Sequence, residues 1–558
     1  MKRTTRTLAV AAIVSAGLVC AAPAFAGSGF GSHPVQAPNH FPGKPAPKPS
    51  SAAPRTDAFT VTGGVTSVLN PQANDPKGLQ IVGNTTTAHG AITLQSDGTY
   101  LYTPDTGFHG VDSFSYSTSD AVSLYSTDIA PLGTVTGVNI SGGAFGSSVT
   151  MAPNSSNIFY GLTDRGPNVN GPGGTKVEPL PDFDPAIGEF AFGANGQATL
   201  LKTIPLTAKD GSPMNGLENP EANAGETITD MNGNVLPDSA DGLDSEGIVA
   251  LPDGTFWISD EYGPYIVHFD RNGRELSRLS PYDGTLPREL KYREPNKGME
   301  GLTITPDGST LVGMMQSALT IDPGVQAKSA SVPFTRVVTY NLRTKATHEY
   351  AYVLDDPAST GAANSEITAL SNTKFLVDER DGNFEPGADK KVYEIDLAKA
   401  SDIGPAAHVK GARYDATKGL EIGGKPLEDL FTSASQSPDG QAVLTASHIT
   451  PVTKSLYLDL GGLVSRLNPA GAFFGHDKVE GIDLFAGGTK LLVSNDSDFG
   501  IDGLADASGA LSTSVTPPFT LHSKILPNGQ QDDGEYLVVD LAKVKDPVKT
   551  AKVSIDVK

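Results

Sequence analysis

The chain has 558 residues and a net charge of −22, from 63 acidic and 41 basic side chains, with a single cysteine. That length calls for several domains or one large repeat assembly. The acid excess excludes a nucleic-acid binder, which needs a basic face, and one cysteine excludes a disulfide-stapled scaffold.

Residues 1–26 read as a secretory signal peptide. Lys2, Arg3 and Arg6 supply the charged start, Leu8 to Cys20 the apolar stretch, and Ala24-Phe25-Ala26 the small-residue cleavage site. The stretch is too short to span a bilayer, and no later run approaches the ~20 apolar residues a span requires. Val19 is bulky where lipidation at Cys20 wants a small residue, and Lys2-Arg3 is not a twin-arginine pair. General secretion is therefore expected, and cleavage removes the only cysteine. A secreted chain without cysteines looks more bacterial than animal.

Residues 27–56 form a linker rich in Pro, Ser, Gly and Ala, including Pro42-Gly43-Lys44-Pro45-Ala46-Pro47-Lys48-Pro49. Such composition cannot bury a core. From 57 to 128, short alternating segments such as Phe59-Thr60-Val61 and Tyr100-Leu101-Tyr102 are separated by turns like Ser96-Asp97-Gly98. This predicts a small antiparallel β-sandwich.

Residues 129–558 are almost wholly strand and turn, with hairpin signals at Asn272-Gly273, Asp307-Gly308, Asp439-Gly440 and Asn528-Gly529. Units of roughly 40 to 60 residues with several strands each have the spacing of propeller blades. The expected fold class is all-β, a β-propeller preceded by an immunoglobulin-like sandwich. Six blades are counted, with seven as the alternative because the segment from Lys410 to Arg466 is poorly patterned. Stretches 167–192 and 215–241 read as long loops on one face.

Four units carry a glutamate at the start of a strand: Ser245-Glu246-Gly247-Ile248, Met299-Glu300-Gly301-Leu302, Ser365-Glu366-Ile367-Thr368 and Val479-Glu480-Gly481-Ile482. An acidic or amide cluster follows in each, at Ser259-Asp260-Glu261, Met315-Gln316, Asp378-Glu379-Arg380 and Asn495-Asp496. If innermost strands start on one face, Glu246, Glu300, Glu366 and Glu480 converge. Such a cluster is repulsive unless some members hold protons or a cation intervenes. Ca²⁺ accepts six to eight oxygen ligands in flexible geometry, whereas zinc would want His or Cys at these positions. The alternative is architectural: each glutamate pairs with a neighbouring blade. Lys297, Lys478, Arg380 and Arg165 (in Thr163-Asp164-Arg165-Gly166) would add cations beside the carboxylates, or else pair with adjacent residues. The run Asp230-Met231-Asn232-Gly233-Asn234, followed by Asp238, Asp241 and Asp244, resembles a partial calcium loop. It lacks the twelfth-position glutamate and flanking helices and reads better as an Asx-rich turn. No Gly-x-Ser-x-Gly elbow supports a serine hydrolase.

The stretch 97–116 resembles bacterial cadherin-like, immunoglobulin-like repeats. The stretches Asp244-Ser245-Glu246-Gly247, Ser259-Asp260-Glu261-Tyr262-Gly263-Pro264, Asn296-Lys297-Gly298-Met299-Glu300-Gly301-Leu302, Val377-Asp378-Glu379-Arg380 and Val479-Glu480-Gly481-Ile482 resemble the phytase-like propeller family described by esterase-like activity. The resemblance implies a secreted propeller related to calcium-dependent phytases. A phytase gripping a densely charged substrate would carry a strong basic rim. This acidic chain does not, which points away from inositol hexakisphosphate itself.

The resulting expectation is an extracellular Ca²⁺-dependent hydrolase of phosphate or other esters. Glu246, Asp260, Glu300, Glu366, Asp378, Glu480 and Asp496 would hold metal. Arg165, Lys297, Arg380 and Lys478 would neutralise charge on the ester oxygens, and Glu261 and Glu379 would transfer protons. The expected partner is a small-molecule ester, with no nucleic acid and no membrane span, and with cell-surface or matrix contact through the N-terminal domain. Alternatives are a sugar-lactone hydrolase and a non-enzymatic adhesion protein with a calcium-stabilised propeller.

Overall fold

The computed structural model describes residues 52–222, 225–325, 328–432 and 436–558. The signal-peptide expectation and most of the linker lie outside them. Five four-stranded antiparallel sheets dominate. In three, the strands run in sequence order: Ser148–Met151, Ile158–Leu162, Ala186–Phe192, Ala198–Pro205; Ser245–Ala250, Phe256–Asp260, Ile266–Phe269, Glu275–Leu279; and Met299–Ile304, Thr310–Met315, Thr335–Asn341, Thr347–Tyr352. The fourth is Ala363–Ala369, Lys374–Arg380, Lys390–Asp396 and Thr453–Asp459. The fifth is Val479–Phe485, Lys490–Asn495, Glu535–Asp540 and, as its outer strand, Val122–Ser126 from far upstream.

Five apolar clusters join these sheets into a closed ring. Blades one and two share Leu162, Ile187, Ile248 and Ile258, and blades two and three share Trp257, Leu302 and Val338. Val337, Ile367 and Phe375 lie between three and four, and Leu376, Val392, Ile482 and Val493 between four and five. Val149, Phe159, Leu492 and Tyr536 bring five back to one. The inner strands of each sheet bury both faces, which is why they read as continuous apolar runs rather than clean alternation.

The ring therefore has five blades among the described residues, against the six counted from sequence. The poorly patterned segment supplies no blade of its own. It folds into a three-stranded sheet (Ala412–Asp415, Gly419–Ile422, Lys425–Pro426), two helices (Ser437–Ala446, Leu460–Leu467) and the outer strand of blade four.

The N-terminal sandwich has one sheet of Ser67–Leu69, Tyr100–Pro104 and Gly90–Leu94. Its second sheet contains the last strand of the chain. Lys549–Val557 lies between Asp57–Val61, in parallel, and Gly110–Ser119, antiparallel. Val553, Ile555 and Val557 then pack on Tyr100, Tyr102 and Tyr116. The sequence division at residue 128 differs from this pairing at both ends: Val122–Ser126 belongs to a blade and Lys549–Val557 to the sandwich. Strand partners so distant in sequence leave no local trace.

Candidate functional site

The innermost strands of blades two to five slip register near their starts, and the slip aims the glutamates. Pairing with the second strand jumps from Ser245 to Ile248, from Met299 to Leu302 and from Val479 to Gly481. Glu246, Glu300 and Glu480 thus sit in β-bulges, which turn a side chain out of the normal alternation. The following glycines allow the close approach of neighbouring strands. A Cβ on Gly247 would lie 2.6 Å from the Leu302 nitrogen, and one on Gly481 would lie 2.8 Å from the Val149 nitrogen.

The three glutamates open into one cavity of about 460 Å³ at the ring axis, lined by ten carboxylates against five cationic side chains. The ends of the second strands add Asp164, Glu261, Gln316, Arg380 and Asp496, one from each blade. Asp244, Glu246 and Glu261 present ligand oxygens all within 4.8 Å of one another. Among the described residues Glu261 Oε1 and Glu300 Oε2 are buried without a hydrogen-bond partner, while Glu300 Oε1 accepts Gln316 Nε2 at 2.8 Å.

Such crowding moves protons onto the carboxylates. Burial, followed by the charges of Asp244, Glu300 and Glu480, pushes Glu246 well above the usual range. Burial and the Glu300 charge do the same to Glu261, against the pull of Lys297. Burial and Glu480 push Glu300 up to about 8. Glu480 is raised less freely, because Arg380 and Lys478 oppose its burial.

The cations fall into two groups. Arg165 donates to Tyr262 Oη at 2.6 Å and Asn168 Oδ1 at 3.1 Å, and lies 3.5 Å from Glu226 and 3.9 Å from Asp244. Arg380 is bound to Glu480 and donates to Ser365 Oγ at 3.1 Å. Lys478 pairs with Asp496 at 3.0 Å and Asp498 at 2.6 Å. Lys297 and Lys176 also line the cavity, yet neither has a carboxylate within 4.0 Å among the described residues.

Nine of the thirteen residues singled out from sequence meet here: Arg165, Glu246, Glu261, Lys297, Glu300, Arg380, Lys478, Glu480 and Asp496. Four do not. In blade four the bulge falls at Ser365, so Glu366 takes the place that glycine holds in the other copies. Its carboxylate turns along the axis, accepting Leu302 N at 3.0 Å, Ile367 N at 2.9 Å and the Ser148 hydroxyl. Asp260 accepts Gly263 N at 2.9 Å and is buried away from the cavity. Glu379 accepts Tyr352 Oη at 2.7 Å, Asp355 N at 2.6 Å and Lys454 Nζ at 2.7 Å. Asp378 is fully buried with neither oxygen bonded among the described residues, and burial pushes it up to about 8. The reason is strand alternation: Asp260 and Glu379 are one residue short of the positions that face the axis.

Sequence reading gave no role to Asp164, Lys176 or Asp498, and placed Asp244 only in a partial calcium loop and Gln316 only in the cluster that follows Glu300. Asp244 had a signal, since it precedes Glu246 by the same two residues that separate Lys478 from Glu480. Lys176 had none. It lies in a three-stranded sheet (Val169–Asn170, Lys176–Glu178, Ile228–Asp230) built from the long loops of blade one.

Residues 141–499 match the phytase-like family, described as esterase-like activity of phytase, and residues 46–132 match a bacterial Ig domain. An uncharacterized secreted protein of Arthroderma benhamiae is 32% identical over 309 residues, which is 43% of this chain and 59% of that protein. Among solved structures, virginiamycin B lyase from Staphylococcus aureus aligns over 83% of this chain and 99% of its own, at 10% identity and a TM-score of 0.27. A Lactobacillus plantarum protein aligns over 74% and 98%, at 11% identity and a TM-score of 0.28. Likeness this slight bears on no activity.

Proposed function

This chain belongs to the phytase-like family, and from that premise we propose that it is an extracellular, calcium-dependent hydrolase of esters, phosphate esters first. The observation that carries this reading is the convergence of Asp244, Glu246 and Glu261, with an unpartnered Glu261 oxygen, in a cavity that also holds cations. The donor set fits a hard cation. It is all oxygen, and a 4.8 Å spread matches twice the roughly 2.4 Å Ca–O distance. When bound there, calcium supplies Lewis-acid polarisation of an ester oxygen and relieves the repulsion between the carboxylates.

The remaining residues have separable tasks. Arg165, fixed by Tyr262, Asn168 and Asp244, holds the Asp244 carboxylate in position. Arg380 and Lys478 do the same for Glu480 and Asp496. Glu300, pushed up to about 8 by burial and Glu480 and with Oε2 free of partners among the described residues, is suited to hold a proton near neutrality and release it to a leaving group. The secreted relative supports an extracellular setting. Among the described residues no helix is long and apolar enough to cross a membrane.

The test is turnover of phosphomonoesters, phosphodiesters, carboxyl esters and lactones by the whole chain, with calcium and then with chelator. Turnover of esters that is lost with chelator and in Glu246→Gln supports the reading. No turnover of any class, with calcium bound, rejects it.

A further inference from the structure

We propose that Lys176 and Lys297 form an anion subsite in the axial cavity, which takes the phosphate-like oxyanion of the substrate. This rests on the hydrolase reading above and adds which side chains recognise the substrate's charge. Three of the five cations in the cavity are already committed. Arg165 is bound by Tyr262 and Asn168 beside Asp244, Arg380 by Glu480, and Lys478 by Asp496 and Asp498. A substrate drawing on them would have to break buried or half-buried ion pairs, each of which leaves a charge without its partner.

Lys176 and Lys297 have no such commitment. Both are half-buried and both line the cavity, and no carboxylate lies within 4.0 Å of either ammonium among the described residues. With ten carboxylates lining the same space, pairing would have been the easy outcome. Holding two ammonium groups partly desolvated and unpaired is costly, and an arriving oxyanion removes that cost. Burial and the neighbouring Arg165 already weaken the hold of Lys176 on its proton.

Their origin separates them from the metal-binding carboxylates. Glu246 and Glu261 come from the blade repeat itself. Lys176 comes from the sheet inserted in blade one, and Lys297 from the connection between blades two and three. Lys297 follows Asn296, whose φ of 54° is left-handed backbone that Asn tolerates. The Asn296 amide also lines the cavity and makes no hydrogen bond among the described residues, so it offers a neutral donor beside the ammonium. Because the remaining charge is mostly negative, a free oxyanion would be repelled until a cation neutralises Asp244, Glu246 and Glu261. Phosphate and calcium binding should then favour each other reciprocally.

The experiment titrates inorganic phosphate into the full chain by calorimetry, at calcium levels below calcium phosphate precipitation and again with chelator. Expected results are tighter phosphate binding with calcium, and about tenfold weaker binding in Lys176→Gln and in Lys297→Gln. Calcium affinity should stay within about twofold, and Lys176→Arg should keep most of the phosphate affinity. Thermal melts establish that each variant is folded. Unchanged phosphate affinity in the folded double variant overturns the subsite, as does loss of phosphate binding only in step with loss of calcium. Turnover separates this from the broader reading. In the lysine variants, a KM raised more for a phosphomonoester than for a neutral ester supports the subsite. Phosphate binding that depends on both lysines, in a chain that hydrolyses no ester, keeps the subsite and removes the hydrolase.

Discussion

Glu366 Oε1 accepts the backbone N–H of Leu302 at 3.0 Å, joining the adjacent innermost strands of blades four and three. One residue of offset separates this glutamate from Glu300, and the offset sends one carboxylate down the axis and the other into the cavity. The sequence repeat treats them as equivalent; the bulge does not.

Glu366 and Glu246 should therefore fail in different ways. Glu366→Ala leaves the Leu302 and Ile367 amides without their acceptor and should cost about 1–3 kcal/mol in urea unfolding, with calcium affinity nearly unchanged. Burial holds Glu366 well above the usual carboxylate range, so Glu366→Gln should be tolerated. Glu246→Gln should weaken calcium at least about tenfold by calorimetry, with little loss of stability in chelator.

Calcium should stabilise the fold most at alkaline pH. Glu300 is pushed up to about 8 in the folded chain, so the folded state binds its proton more tightly than the unfolded one. That contribution is full below the unfolded value near 4.3 and fades as pH rises through 8. Without divalent cations, melting temperature should fall between pH 6 and pH 9, roughly the span over which Glu300 ionises. Calcium at about a hundred times its Kd adds about 2.7 kcal/mol. It should reduce that fall, because it replaces the protons the cluster loses.

A second pH response lies outside the carboxylate cluster. Lys478, Asp498, Lys524, Asp532, His476 and Glu535 form a chain of alternating charge. Lys524 is 2.7 Å from Asp498 and 3.3 Å from Asp532, and His476 is 3.0 Å from both Asp532 and Glu535. Burial alone would lower the His476 pKa, but Asp532 and Glu535 outweigh it and raise it to about 9. The stabilisation is complete below the ordinary value near 6.5 and is lost as pH passes 9. His476→Gln should cost on the order of 3 kcal/mol at pH 7, and should flatten the alkaline loss seen in thermal melts from about pH 8 to 10.

The last strand should be indispensable to the first domain. Removing residues 549–558 deletes the strand between Asp57–Val61 and Gly110–Ser119, together with buried Val553, Ile555 and Val557. At about 1.5–3 kcal/mol per buried aliphatic side chain, the loss exceeds what a small sandwich can absorb. Limited proteolysis should then cut first between residues 57 and 119. Cuts appearing first within the blades would contradict this.

The sequence alone determined the β architecture, the two kinds of domain and the recurring glutamate, because strand alternation, turn residues and spacing are local properties. It also brought out Glu246, Glu300 and Glu480, whose following glycine marks the bulge. Tertiary structure decided the rest. Five blades rather than six follows from which apolar faces meet, and the clasp of Lys549–Val557 on Asp57–Val61 joins opposite ends of the chain. The fate of Glu366 turned on a one-residue shift of the bulge, and those of Asp260 and Glu379 on strand alternation, because in a strand of period two one residue reverses the direction of a side chain. Lys176 entered the cavity from an inserted sheet with no place in the repeat. Pattern carries composition and period, whereas register and long-range pairing are settled only when the strands pack.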